Sequence, residues 1–513
     1  MSISALEHRV TTAVERSAPR QRPWDAAGVA LFAVTVCAAG AARPSLWFDE
    51  AATISAATRS VPALWRMLGN IDAVHGVYYL LMHGWFAVFP ATEFASRLSS
   101  ALAVGLAAAG VVVLGRQIST REVAGTAGLL FAILPRVTWA GMETRSYALS
   151  MVVAVWLTVF CIAAARRGRG RWWLGYGLLL TGATLLNVFV LLIVPAHAVA
   201  VVAFGRSPTT WRRWAVAALV ATAVSMPFLV FSQSQLFQVG WISSPGAHTV
   251  GQVLGVQYFD LSLPSAVLAG VILAGGTARG LRAADPNPGR LVWLTVTWML
   301  VPTVILLGYS ALRHPIYYPR YLSFTTPAAA LLLGLSVVAL GRSRAGIAAV
   351  LTVCVAVAAP NYLAQRGPYA KADMDYSAVA DVIDRYAAPG DCLVLDNSAT
   401  WKPGPIRPLT AARPAVFAKL RDYGRGRTAL QRNRLWDSHI AIWAWADKLP
   451  ACPALWTISE RDPTLPHHQR GSALEPGPRL GRAMAYQVPS RFGFHVVEQW
   501  QFSFAQVAKS VRD

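Results

Sequence analysis

WWLGYGLLLTGATLLNVFVLLIVPAHAVAVVAFG, residues 172–205, is an almost unbroken apolar run set between two basic clusters, RRGRGR at 166–171 and RSPTTWRR at 206–213. It reads either as one long helix or as two helices that turn back near Asn187. Arginine-rich loops stay on the cytoplasmic side of a membrane, so both flanks demand the same side and the run crosses an even number of times. Two spans are therefore expected, 172–187 and 189–205. Each is close to the roughly 17–25 helical residues that a bilayer core takes.

Similar runs recur along the chain and place further spans at 25–42, 97–115, 122–139, 147–165, 214–231, 263–277, 291–309, 323–341 and 345–362. The fold class expected is a polytopic α-helical membrane protein with about eleven spans. With residues 1–24 as a cytoplasmic tail, every inside loop is basic. The loops hold Arg116 and Arg121; the 166–171 cluster; Arg206, Arg212 and Arg213; Arg279, Arg282 and Arg290; and Arg342 and Arg344. The tail carries Arg9, Arg16, Arg20 and Arg22, and no persuasive cleavage site follows it, so the first span is expected to stay in the membrane. An odd number of crossings sends residues 363–513 outside the cytoplasm.

Composition agrees. Of 513 residues, 55% are hydrophobic and 14% charged, against about a quarter charged in soluble domains. The net charge of +21 comes in short bursts between apolar runs, the pattern of membrane loops, which argues against a nucleic-acid partner. The cysteines show no metal-ligand spacing.

Residues 363–513 are polar and turn-rich. An amphipathic helix is expected over Tyr376–Tyr386, and strands over 392–395, 454–458 and 495–500, making a small α/β domain. Cys392 and Cys452 lie at two strand starts. Outside the cytoplasm they would form a disulfide; the alternative is two unpaired buried thiols.

The chemistry gathers in the outer segments. The first outer loop, 43–96, opens with Trp47-Phe48-Asp49-Glu50 directly after the first span. Adjacent carboxylates at a membrane boundary are costly unless used, although acidic residues also favour the first turn of a helix. The same loop carries amphipathic stretches at 51–68 and 77–89, with Asp72, His75 and Tyr78 between or beside them. A short later loop adds Glu143 and Arg145, and a third outer segment adds Arg313, His314, Arg320 and Tyr321. Converging on one face, these groups would offer carboxylates to accept a proton and cations to hold a phosphate. Plainer readings stand beside each. Glu143 and Arg145 could pair with one another, Arg320 could snorkel at a span end, and Gln233, Gln235 and Gln238 read as solvated loop.

Several of these segments carry a family resemblance. Asp49-Glu50 is followed by His75 with Tyr78-Tyr79-Leu80-Leu81 and by Glu93-Phe-Ala-Ser-Arg97. Then come Glu143-Thr-Arg145-Ser-Tyr147 and Pro319-Arg320-Tyr321-Leu322. In this order they resemble the GT-C membrane glycosyltransferases related to protein O-mannosyltransferases and to the lipid A aminoarabinose transferase, over roughly residues 40–365. The resemblance implies a polyprenyl-monophosphate sugar as donor, an extracytoplasmic active site and inversion at the anomeric carbon. It implies Asp49 as base with Glu50 as support or substitute. From their place at the same outer mouth, Arg320, Arg313, His314 and Tyr321 are expected at the donor phosphate, and His75, Tyr78, Glu143 and Arg145 toward substrate. Many members have two prolines after the loop histidine; here Gly76-Val77 stand there, so the local loop shape differs. A divalent metal is implicated in some members and not in others, which leaves a metal open.

The expectation is a multi-pass plasma-membrane transferase acting on a glycolipid, polysaccharide or protein acceptor amid membrane lipids. An arginine-rich, lysine-poor chain suggests a GC-rich genome of actinobacterial type, where mannose and arabinose are both common on decaprenyl phosphate. Mannose is the expectation and arabinose the second. Two other classes remain. A transporter or flippase of lipid-linked sugars would want ionisable groups near the bilayer midplane, where this chain has almost none. A receptor-like protein would leave the carboxylate pair without a role.

Overall fold

In a computed structural model, which describes residues 24–205, 207–282, 288–396, 406–476 and 483–513, each expected apolar run is helical. Most of the expected cytoplasmic tail and Arg206 lie outside the described residues. Among the described residues, seven helices are long and apolar enough to cross a membrane: Glu93–Ile118, Tyr147–Arg167, Pro208–Gln233, Leu263–Arg282, Pro288–Leu312, Pro319–Gly341 and Arg344–Ala364. Asp25–Ala38 and Val188–Phe204 are shorter apolar helices. The long run is interrupted where two spans were expected. The Gly170–Leu186 helix stops, and Asn187 accepts the Phe189 N–H (3.0 Å) to start the next helical segment. The protein is a polytopic helical membrane protein with a small C-terminal sheet.

Two helical stretches break where one helix was expected, and proline explains both breaks. The stretch 51–68 divides into Phe48–Ala57 and Val61–Leu68, because Pro62 suits a first helical turn but not a helix interior. The span expected at 122–139 breaks after Arg121–Ile133. Leu134, which precedes Pro135, takes an extended ψ of 128°, and a new helix, Pro135–Ala140, begins. Small residues let the bundle close. A Cβ on Gly276 would lie 2.5 Å from the Ser336 carbonyl oxygen, so Leu263–Arg282 can approach the neighbouring helix only with glycine there.

The C-terminal sheet has the order β1-β2-β5-β4-β3, from Cys392–Leu395 (β1), Ala454–Glu460 (β2), Ser472–Leu474 (β3), Phe494–Gln501 (β4) and Ala505–Arg512 (β5). β1 and β2 are parallel and the remaining pairs antiparallel. Tyr376–Tyr386 packs its apolar face on this sheet. A disulfide joins Cys392 to Cys452, Cα–Cα 5.6 Å, at the starts of the parallel pair.

This module is tied to the chain that leads into Asp49. The Leu46 N–H donates to Ser377 Oγ (2.9 Å), and Ser377 donates to Glu93, which also pairs with Arg413 at 2.6 Å. The Arg413–Glu93 and Lys371–Glu143 pairs thus tie residues after the last span to the Glu93–Ile118 helix and to the loop that precedes Tyr147.

Candidate active site

Trp47 is extended and precedes the Phe48–Ala57 helix, so Asp49 and Glu50 occupy its first turn. Successive helical residues turn about 100°, and the two carboxylates therefore face different surroundings. Glu50 is enclosed. Arg97 Nε donates to its Oε1 (2.8 Å) and Nη2 to its Oε2 (2.6 Å), and both side chains are fully buried. Thr144 adds N–H and O–H donors to the same Oε1, each at 3.2 Å. Arg97 spends its remaining donors on the carbonyls of Ala41, Pro44 and Ser45. This pair fastens the entry of the helix to the bundle.

Asp49 is held differently. Its Oδ2 lies 3.2 Å from Arg320 Nη2 and its Oδ1 3.6 Å from Arg145 Nη2. Both are ion-pair separations, and Oδ2 has no hydrogen-bond partner among the described residues. Arg145 also donates to the Tyr79 hydroxyl (2.8 Å), which donates to Asp72 Oδ2 (2.5 Å). Burial pushes the Asp72 carboxyl up, while Arg145 and the Tyr79 hydroxyl pull it back. His75 lies in the same shell. Burial, then the charges of Arg145 and Arg320, hold its imidazole well below the ordinary value, so it is neutral at physiological pH.

Arg320 sits inside aromatic rings. Its guanidinium carbon is 4.8 Å from the Tyr318 ring centre, 5.4 Å from Trp47, 5.9 Å from Tyr147 and 6.0 Å from Trp241. Trp47 is oriented by its indole N–H, which donates to Glu143 (2.7 Å); the other Glu143 oxygen pairs with Lys371 at 2.7 Å. Glu143 thus pairs with Lys371 and not with Arg145. Tyr321 stacks on Phe189 beside the cage. Arg313 is exposed, and the His314 ring lies against the neighbouring Pro315 carbonyl. Among the described residues no ion pair or hydrogen bond joins either of them to Asp49, Arg145 or Arg320.

Several groups at the site carried no assigned role in the sequence. Arg97 stands in a quoted motif, but its partner is far away in the chain. Arg136 was hidden inside an apolar run; it pairs with Asp260 at 3.0 Å near the Arg320 cage, and its position after Pro135 was the available signal. Gln235 and Gln238 are not solvated loop: they accept the backbone N–H groups of Ala73 (2.9 Å) and Asp72 (3.2 Å). Asp72 has φ +60°, a left-handed conformation that these contacts fix.

The Nε–H donors of Arg136, Arg145 and Arg320 are all buried without hydrogen-bond partners among the described residues, as are Tyr78 OH and His75 Nδ1. Unfilled buried donors cost about 1–3 kcal/mol each, and three cationic ones suit an anion with several oxygens. A divalent cation does not fit. Asp49 already faces two guanidinium groups, and among the described residues no group of three or more His, Cys, Asp or Glu could hold a metal.

Residues 76–231 match a family model described as dolichyl-phosphate-mannose-protein mannosyltransferase. The structure resembles ArnT from Cupriavidus metallidurans bound to undecaprenyl phosphate, with a TM-score of 0.55 at 14% identity over 93% of this chain and 97% of that one. The same protein in the apo state gives 0.56 at 15% identity with the same coverage. Arabinofuranosyltransferase AftD from Mycobacteria gives 0.51 at 18% identity, over 96% of this chain and 40% of that one. No protein of curated function matches the sequence.

Proposed function

The chain has the fold of the GT-C membrane glycosyltransferases, and on that fold we propose that it transfers a sugar from a polyprenyl monophosphate to a hydroxyl of a cell-envelope acceptor. The observation that carries this reading is the Asp49 carboxylate lying between Arg145 and Arg320, amid unfilled cationic donors. An arriving phosphate takes over the two guanidinium groups and frees Asp49. The acceptor oxygen then attacks the anomeric carbon from the side opposite the phosphate and passes its proton to Asp49. The new C–O bond forms as the bond to the phosphate oxygen breaks. The phosphate keeps that electron pair, and the developing charge falls on Arg320 and Arg145. The configuration at the anomeric carbon inverts. Glu50, through Arg97, supports the turn that presents Asp49. His75 and Tyr78 complete the wall toward substrate.

Mannose is the sugar favoured, because the matching family model is described by mannosyl transfer. Arabinose is second, on the likeness to an arabinofuranosyltransferase. The site is assigned to the extracytoplasmic side because the opposite loops are basic. Incubating the purified protein with a panel of radiolabelled polyprenyl-phosphate sugars and envelope extract tests the reading. Label is expected to move from one donor to the acceptor fraction. Label that crosses a liposome membrane while still joined to its lipid would instead support a flippase.

A further inference from the structure

One ring at the mouth of the site has no part in the step above. Trp241 lies in the segment 232–261, and 49% of it is exposed. The segment is fixed on both sides of this residue. Before it, Gln235 also donates to the Leu68 carbonyl (2.9 Å), adding to the bonds made by Gln235 and Gln238 to the Asp72 loop. After it, Gln257 accepts from the Tyr317 hydroxyl (3.0 Å). The Trp241 indole meets Tyr318 edge-on, with ring centres 5.0 Å apart and planes at 73°, so Tyr318 covers at most one of its faces. Of the four rings around Arg320, Trp47 and Tyr147 are buried and Tyr318 is half-buried. Trp241 alone among them is exposed while its centre stands 6.0 Å from the guanidinium.

We propose that Trp241 is the platform on which the donor sugar stacks. This rests on the reading of Arg320 as a ligand of the donor phosphate. A glycosyl ring is joined to that phosphate through a single oxygen, which brings it within reach of an aromatic ring so close to Arg320. Each sugar ring presents a patch of C–H groups that is apolar, while its hydroxyls point outward from the rim. An exposed indole in a charged mouth buries that patch without asking the hydroxyls to give up water. The platform also orients the anomeric carbon relative to Asp49, which lies 3.2 Å from the same Arg320 guanidinium.

The competing role for an exposed tryptophan here is an interfacial anchor, and binding measurements on the full chain in nanodiscs separate the two. The probes are decaprenyl-phosphate mannose, decaprenyl-phosphate arabinose and sugar-free decaprenyl phosphate. Trp241→Ala is expected to weaken the preferred sugar-loaded lipid about five- to tenfold and to leave the sugar-free lipid unchanged. Trp241→Phe, which keeps a ring, should restore most of the loss. Equal weakening of loaded and sugar-free lipids, or no change in either, overturns the platform. If the unaltered protein binds none of the three lipids, the donor-phosphate reading itself falls.

Discussion

Arg97 grips both carboxylate oxygens of Glu50, at 2.8 and 2.6 Å, where neither side chain meets solvent. The neighbouring carboxylate, Asp49, has only ion-pair contacts. Two adjacent acidic residues thus do different work: one closes the fold around the first turn of a helix, and the other is left available at its tip.

Removing one partner of a buried pair strands the other charge, at a cost of about 3–5 kcal/mol. Arg97→Ala and Glu50→Ala are therefore expected to lower the melting temperature of the detergent-solubilised protein sharply. Glu50→Gln keeps the shape and some of the hydrogen bonds and should fall between them and the parent. Unchanged melting in all three would remove Glu50 from the supporting role.

Arg320 and Arg145 are assigned to the donor phosphate, an anion present before and after the chemical step. Arg320→Ala should raise the KM for donor more than that for acceptor, since much of the lost contact is made in the ground state. Arg145→Ala should do the same and also lower kcat, because Arg145 holds the Tyr79 hydroxyl that orders Asp72. Initial rates with donor and acceptor varied separately measure both. An unchanged donor KM in Arg320→Ala would leave that residue as an anchor in its aromatic cage.

Much of this arrangement was legible in the chain. The apolar runs and basic loops gave helices in the right places, because burial in lipid is set by composition over long windows. Asp49 stood out in the sequence only in the company of His75, Arg145 and Arg320, since acidic residues are common in a first helical turn; the structure sets Arg145 and Arg320 beside its carboxylate. What escaped depends on distant partners. Arg97 finds Glu50 only once two helices pack, Lys371 finds Glu143 from beyond the last span, and Arg136 looked like part of an apolar run. In the C-terminal module three strands and the Tyr376–Tyr386 helix were visible. β3 is only Ser472–Leu474, too short for any pattern to show, and β5 mixes polar residues into both faces.

Asp375 gives the C-terminal module a pH dependence. It is buried, and its Oδ2 accepts the backbone N–H groups of Phe504 and Ala505 at 2.7 and 2.9 Å. Burial pushes its carboxyl up to about 7 in spite of those donors, against about 3.9 in the unfolded chain. The neutral form is thus the one the fold prefers. Its stabilising contribution is complete below about pH 4 and is lost as pH rises toward 7. Melting temperature should fall over that window relative to Asp375→Asn, whose profile should be flatter. Parallel profiles for the two proteins would rule this out.

The orientation across the membrane is tested by Ser490→Cys, at an exposed position of the C-terminal module. A membrane-impermeant thiol reagent should label it in intact cells and leave the parent protein almost unlabelled, since Cys37 and Cys161 are buried, Cys392 and Cys452 are bonded, and the half-buried Cys354 lies within the apolar Arg344–Ala364 helix. Labelling only after lysis would turn the molecule over and move the site to the cytoplasm.

The role of Asp49 decides between transferase and carrier. An acceptor hydroxyl is a weak nucleophile until a positioned base takes its proton, a contribution of roughly 10²–10⁴ in rate. Asp49→Asn keeps the size of the side chain and removes its ability to accept that proton. It also removes the charge between Arg145 and Arg320, so donor phosphate should bind as well as before or more tightly, while kcat falls by about that factor. A carrier would show the opposite split, because losing the counter-charge would change lipid binding with no chemical step to slow. Asp49→Asn and Asp49→Glu should therefore be compared for single-turnover transfer and for donor affinity. Asp49→Glu retains a carboxylate, displaced by one methylene, and should recover part of the rate. If Asp49→Asn transfers sugar at the parent rate, Asp49 is not the base, and Asp72, joined to Arg145 through Tyr79, becomes the carboxylate to examine.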